Sequence, residues 1–181
     1  TMVSFTEENY LKAIFHISES KNGELVTTNE LAEVTQTKAA SVTDMLKRLA
    51  DKQLISYTKY QGVGLSAKGK AIALKIIRKH RLWETFLVEK LGYNWDEIHE
   101  IAEQLEHIES EELTERLSRF LGNPDFDPHG DPIPNAEGIM PIQISKILSD
   151  APIGVILKLR HVSEDSQAFL QHLDKLGIKL G

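Results

Sequence analysis

The sequence contains no cysteine among its 181 residues, so disulfides and thiolate metal sites are excluded. Any metal ligands must come from oxygen and nitrogen. Long apolar runs are also missing, and none approaches the roughly 20 residues that a membrane span needs. Thr1 to Ser4 show no basic region followed by an apolar stretch, which predicts no secretory signal. There is no Gly-rich phosphate loop and no nucleophile motif, so the chain is not expected to be an enzyme acting on a small organic substrate. The apolar fraction of 41% is ordinary for a soluble globular protein, and the length allows one large or two small domains with a real core. The expectation is a cytoplasmic protein with no membrane partner.

Positive charge is scarce overall, with a net charge of −6, but it is not evenly scarce. From Lys38 to Arg81 eleven Lys and Arg face only Asp44 and Asp51, a local balance of +9. From Leu82 to Glu137 the sign reverses: Lys90, Arg116 and Arg119 are the only cations among fifteen Asp and Glu. Such a split suits one face for a phosphate backbone and another for cations.

Two stretches, one at the junction of the basic and acidic parts and one within the acidic part, carry ligand chemistry. His80 and Glu84 are spaced i, i+4, and His99, Glu103, Glu106 and His107 follow. On a helix, residues three and four apart share a face, so Glu103, Glu106 and His107 point the same way with His99 one turn before. Carboxylate and imidazole together suit divalent first-row metals. Metal ligands beside a basic element suggest a metal-gated transcription regulator.

Periodicity predicts a helix over 7–20, capped by Thr6, with Tyr10, Leu11, Ile14, Phe15 and Ile17 recurring at helical spacing. A short helix follows over 30–34, then a Thr35-Gln36-Thr37 turn, then a basic helix over 39–52 with Val42, Met45, Leu46 and Leu49 inward. Two short helices joined by a tight turn match a helix-turn-helix. Residues 53–66 alternate like a β-hairpin turning at Tyr60-Gln61-Gly62, the wing of a winged helix. Helices are then predicted from about Ser66 to Leu91, from Asp96 to about Glu109, and from Ser110 to about Leu121. Asn123 to Pro134 reads as a Pro-rich linker that cannot be helical. Beyond it, 154–162 reads as a strand and 166–176 as a helix.

The second helix of such a motif meets base edges with its N-terminal residues. Thr37, Lys38, Ala39, Ala40, Ser41, Thr43, Asp44 and Lys47 occupy that position. Ala39 and Ala40 offer methyl groups to thymine, and Ser41 and Thr43 can bond phosphates. Lys47, Arg48, Lys59 and Tyr60 are expected to contact the DNA backbone.

Four motifs in this order give the chain a resemblance. They are Glu8-Asn9-Tyr10-Leu11, Lys79-His80-Arg81-Leu82-x-Glu84, His99-x-x-x-Glu103-x-x-Glu106-His107, and Pro128-His129-Gly130-Asp131-Pro132-Ile133-Pro134. Behind a winged helix, they resemble the bacterial iron- and manganese-dependent repressors, the diphtheria toxin repressor and manganese transport regulator family. The resemblance implies a mainly α fold in three parts: a winged helix-turn-helix DNA-binding domain over 1–70, a helical dimerisation and metal-binding domain with its linker over 71–140, and an incomplete SH3-like module over 141–181. It implies a homodimer on a palindromic operator in double-stranded DNA, repressing metal-uptake genes.

The resemblance also implies two metal sites. The primary one would use Glu103, Glu106 and His107 with Asn9 from the first helix, where family members commonly carry Met or Asp. The ancillary one would use His80, Glu84 and His99, completed by Asp165, with His129 and Asp127 as further candidates. Iron-type members place sulfur at the position of Glu103; a carboxylate is harder and favours Mn²⁺ first, Fe²⁺ second. The alternative is a winged-helix regulator that senses a small organic ligand and has no need of His and Glu at metal spacing. A metallohydrolase using the same paired carboxylates is the other rival.

Overall fold

The computed structural model describes residues 3–58, 61–164 and 166–181, which form two compact units, Thr1–Ile76 and Ile77–Gly181. The expected contacts Lys59, Tyr60 and Asp165 lie outside the described residues.

The first unit is a winged helix. Helix α1 (Phe5–Ser20) starts two residues earlier than the spacing predicts, because Ser4 rather than Thr6 is the cap. Ser4 Oγ accepts from Glu7 N at 3.3 Å while Glu7 Oε2 accepts from Ser4 N at 2.8 Å, a reciprocal pairing that satisfies two otherwise orphaned donors. The same device, Thr27 with Glu30, opens α2 (Thr28–Val34). Gln36 adopts φ +51° in the turn before α3 (Ala39–Asp51). Helix α3 buries Val42, Met45, Leu46 and Leu49, as its spacing predicts. They join Leu11, Ile14, Leu31 and Leu54 in a core from which water is excluded.

Strands β1 (Ile55–Thr58) and β2 (Gly62–Leu65) pair antiparallel, Ile55 opposite Leu65. Val26 and Val63 exchange backbone hydrogen bonds at 2.9 and 2.8 Å, which ties the wing to the strand-like segment before α2. Helix α4 (Ala67–Leu91) follows, with Ser66 Oγ accepting from Gly69 N at 3.0 Å, and the unit boundary falls within it.

In the second unit α4 continues beside α5 (His99–Leu105) and α6 (Glu111–Phe120). Leu82, Leu117 and Ile133 form a small core that Trp83, Phe86 and Leu121 cover. Helix α5 is much shorter than the predicted 96–109. The Trp95 carbonyl accepts from His129 Nε2 at 2.7 Å, which removes it from a helical ladder. At the other end Glu106 is the C-cap and His107 lies in the turn beyond it.

Residues 123–134 are not an open linker. They close on themselves through Asp127 N to Asp131 O at 2.9 Å and Ile133 N to Asp125 O at 2.8 Å. Asp127 Oδ1 accepts from the backbone of both His129 and Asp131. Prolines forbid helix here but permit a compact loop that closes through its own backbone and through Asp127 Oδ1.

The expected strand over 154–162 is not among the described strands. Its backbone bonds go elsewhere: Leu159 O accepts from Gly181 N at 2.9 Å, and Val162 N donates to His129 O at 3.0 Å. A 3₁₀ turn (Leu148–Asp150) and α7 (Gln167–Lys175) complete the chain, α7 close to its predicted place.

Gly69 is fixed by a close approach, since a Cβ there would lie 1.9 Å from Leu54 O. Gly69→Ala is therefore expected to destabilise the first unit by roughly 1–3 kcal/mol, the usual range for overpacking, read by chemical denaturation. An unchanged midpoint would show that α4 starts elsewhere.

Candidate metal centre

Glu84, on α4, is 2% exposed and stands at the middle of a group of imidazoles and carboxylates in which His80, Glu106, Asp127 and His129 are buried, Glu103 is half-buried and His99 is exposed. Its Oε1 lies 3.0 Å from His80 Nε2 and 3.6 Å from His99 Nδ1, and its Oε2 lies 3.6 Å from His129 Nδ1. The i, i+4 spacing of His80 and Glu84 accounts for the first contact. His99 and Glu103, also i, i+4, face each other at 3.7 Å on α5. His80 Nδ1 reaches the fully buried Glu106 at 2.6 Å, and Glu106 Oε1 lies 3.8 Å from His107 Nε2.

Two sets of donor atoms lie within 4.8 Å of one another: His80, His99 and Glu103, and then Glu84, Asp127 and His129. The structure thus groups the expected ligands differently from the two predicted sets. Glu103 sits with His80 and His99. Glu106 is bonded to His80, so the two sets form one continuous network. His129 and Asp127, from the loop, are central to it. Asn9 lies on α1 in the first unit, where its Oδ1 is buried and accepts no hydrogen bond among the described residues.

The donor set fits a divalent cation on three counts. First, it is carboxylate oxygen and imidazole nitrogen, the hard-to-borderline set of such metals. Second, two imidazoles have their far nitrogens fixed by buried acceptors: His129 Nε2 by the Trp95 carbonyl, His80 Nδ1 by Glu106. Each is then held with its other nitrogen facing Glu84, the arrangement by which outer partners orient metal-binding histidines. Third, Asp127 Oδ2 is buried and accepts no hydrogen bond among the described residues, with Arg81 Nε 3.8 Å away.

Electrostatics follow from the burial. Burial, then the charges of Glu84 and Asp131, push the Asp127 carboxyl up to about 7. Burial opposes charge on His129, but the Glu84 and Asp127 carboxylates outweigh it and hold the imidazolium up to about 9. Burial likewise opposes charge on Glu84, but three imidazoles, His129 foremost, keep it well below the usual carboxylate range.

Arg81, Asp131, Trp95 and His161 also build the site without having been singled out as site residues. Arg81 donates to the Pro132 carbonyl and faces Asp131 at 3.7 Å, and His161 Nε2 lies 3.1 Å from Asp131 Oδ1. Arg78 bonds Pro134 O at 2.8 Å and Glu115 at 2.9 Å. These two arginines therefore serve the loop and leave the basic surface that the charge count assigned them to. The spacing His80-Arg81 beside a Pro-His-Gly-Asp-Pro motif was the available signal.

Of the expected DNA contacts, Thr37, Lys38, Ala39, Ala40, Ser41, Asp44, Lys47 and Arg48 are exposed, on α3 or just before it, opposite its buried face. Thr43 is half-buried with its hydroxyl donating to Ala39 O. Thr37 also accepts or donates at Tyr10 Oη, 3.1 Å away. Among the described residues no helix is long and apolar enough to cross a membrane.

The raised groups give a signed pH dependence. His129 favours its proton in the folded state up to about 9, against 6.5 ordinarily, so its contribution is full below 6.5 and is lost as pH rises through about 9. Asp127, raised from 3.8 to about 7, acts in the same direction, its contribution being lost as pH rises through about 7. In chelator, the thermal midpoint is expected to fall between pH about 6 and about 9, less steeply in Asp127→Asn. A midpoint that rises across that window would contradict the assignment.

Comparison with known proteins agrees with this geometry. Residues 2–63 match the family described as iron dependent repressor, N-terminal DNA binding domain, and residues 66–135 match iron dependent repressor, metal binding and dimerisation domain. The iron-dependent repressor IdeR of Mycobacterium leprae (strain TN) is 30% identical over 173 residues, which cover 88% of this chain and 74% of the relative. A manganese-dependent transcriptional repressor solved in complex with manganese is 36% identical, with a TM-score of 0.83 over 96% of this chain and 79% of that one. ScaR with bound Cd²⁺ is 34% identical, with a TM-score of 0.80 over 97% of this chain and 81% of that one. The chain belongs to the iron-dependent repressor family and is a metal-responsive, DNA-binding transcriptional repressor.

Proposed function

We propose that the protein is a cytoplasmic homodimer whose operator binding is switched on by Mn²⁺, repressing genes of metal uptake. The observation that carries the metal is the pair of back-bonded imidazoles, His80 and His129, presented to Glu84. Manganese is favoured over iron because the donor set is rich in carboxylate and has no sulfur. Raw affinity favours later metals, so selection rests on geometry and supply. One relative is named for manganese and another for iron, so the chemistry of this donor set decides the choice.

The proposed ligands are His80, Glu84, His99, Asp127 and His129 in the Glu84-centred group, and Glu103, Glu106 and His107 beside it. Asn9 is proposed as a further oxygen donor on the resemblance of its motif alone; its Oδ1 is buried and accepts no hydrogen bond among the described residues. When bound, the metal supplies charge that compensates these carboxylates and so orders the regions that carry them. Arg81 holds the loop that brings Asp127 and His129 in. In the DNA-binding domain, proposed over 1–70, the exposed face of α3 reads the major groove, with Lys47 and Arg48 on phosphates.

Operator binding followed by fluorescence anisotropy tests the reading. Mn²⁺ is expected to raise affinity for a palindromic operator on the order of 10–100-fold over chelator, the usual span of an allosteric coupling. His107→Ala and Glu106→Ala are each expected to lose that gain. Equal binding by wild type with Mn²⁺ and with chelator would refute metal gating and favour the organic-ligand reading.

A further inference from the structure

We propose that Tyr10 is a positioning residue for DNA reading: it holds the start of α3 in place through the hydroxyl of Thr37, and Thr37 donates no proton to DNA. The inference goes beyond the proposed function and rests on its reading of α3 as the helix that meets DNA. Helix α3 begins without the device that fixes its neighbours. Helices α1 and α2 each open on a reciprocal pairing of a cap side chain with a Glu, whereas Lys38, the cap of α3, makes no side-chain cap bond. The turn before α3 is held instead by Thr37 N, which donates to Ala32 O at 3.1 Å, and by a row of hydroxyls from Tyr10, Thr37 and Thr35.

The direction of that row follows from counting protons. Each hydroxyl has one proton to donate and two lone pairs to accept with. Thr35 Oγ1 donates to Leu31 O at 2.6 Å, which commits its proton. It therefore accepts from Thr37 Oγ1, 2.8 Å away. The Thr37 proton is then committed too, so Tyr10 Oη, 3.1 Å away, is the donor to Thr37. The row runs from Tyr10 through Thr37 and Thr35 to the Leu31 carbonyl. Its two ends are rooted in the core of the first unit, since Tyr10 is 5% exposed and Leu31 is fully buried. Its middle, Thr37, is exposed just before α3. Phosphate oxygens, and the acceptor atoms on base edges, need a donor. Thr37 has no proton left for them, so its hydroxyl serves the turn. The packed ring of Tyr10 is the fixed point from which that turn is located.

The test is a double-mutant cycle on the full chain with Mn²⁺, read by fluorescence anisotropy. The probes are a palindromic duplex selected from random sequence by the wild type and the same duplex scrambled. Tyr10→Phe and Thr37→Val each remove one hydroxyl and keep the side chain's shape. Each is expected to weaken binding to the selected duplex roughly 2–10-fold, the worth of one hydrogen bond, and to leave the scrambled duplex unaffected. The double variant is expected to bind no more weakly than the weaker single variant, because both changes break one row. Thr37→Ser, which keeps the hydroxyl, is expected to bind as the wild type does. Weaker binding in Thr37→Val with unchanged binding in Tyr10→Phe would make Thr37 a direct DNA contact and overturn the proposal. Losses that multiply in the double variant, or that are equal on both duplexes, would also overturn it. If neither variant weakens binding while Lys47→Ala does, the positioning role alone fails; if Lys47→Ala has no effect either, the reading of α3 fails with it.

Discussion

A carboxylate buried away from water must be compensated, and among those this chain buries are Glu84 and Glu106, one on either side of His80. An uncompensated charge in such a place costs several kcal/mol. One imidazole cannot neutralise both. The rest of the second unit is arranged around that requirement. Helix α4 supplies His80 and Glu84 on one face, α5 ends so that Glu106 turns inward, and the loop over 123–134 returns to bring His129 against the far oxygen of Glu84.

The loop is where the fold and the site depend on each other most. It carries Asp127 and His129 inward only because its own backbone closes and because Arg81 and Arg78 hold it from α4. Gly130, at φ +88°, lets the segment around Arg160 and His161 pass within reach, since a Cβ there would lie 2.1 Å from Arg160 O. Val162 then bonds the His129 carbonyl, and His161 pairs with Asp131.

Much of this was legible in the sequence, for identifiable reasons. The winged helix is written in capping residues and in the buried stripe of α3, both local signals. The proposed ligand residues drew notice because i, i+4 spacing puts His80 with Glu84 and His99 with Glu103, and those pairs do face each other. Their grouping was not visible, because it depends on how α4, α5 and the loop meet, and spacing within one helix carries no such information. For the same reason Glu106, grouped by spacing with Glu103 and His107, turns out to hold His80. That residues 123–134 are not helical was legible from their prolines; that they close on themselves was not, because proline content does not distinguish an open chain from a closed loop. Arg78 and Arg81 counted toward a DNA surface because charge summed along a sequence ignores which side of a helix each residue occupies. The expected strand over 154–162 begins in a turn at Gly154, and its backbone bonds go to His129 and Gly181 instead of to a ladder.

The central claim is that divalent metal, rather than protons alone, compensates the carboxylates around Glu84. Anomalous diffraction from crystals grown with Mn²⁺ tests it most directly. The account predicts an anomalous peak against Glu84, in contact with Asp127 and His129. Peaks only elsewhere in the molecule, with Glu84 still hydrogen-bonded to His80, would contradict it.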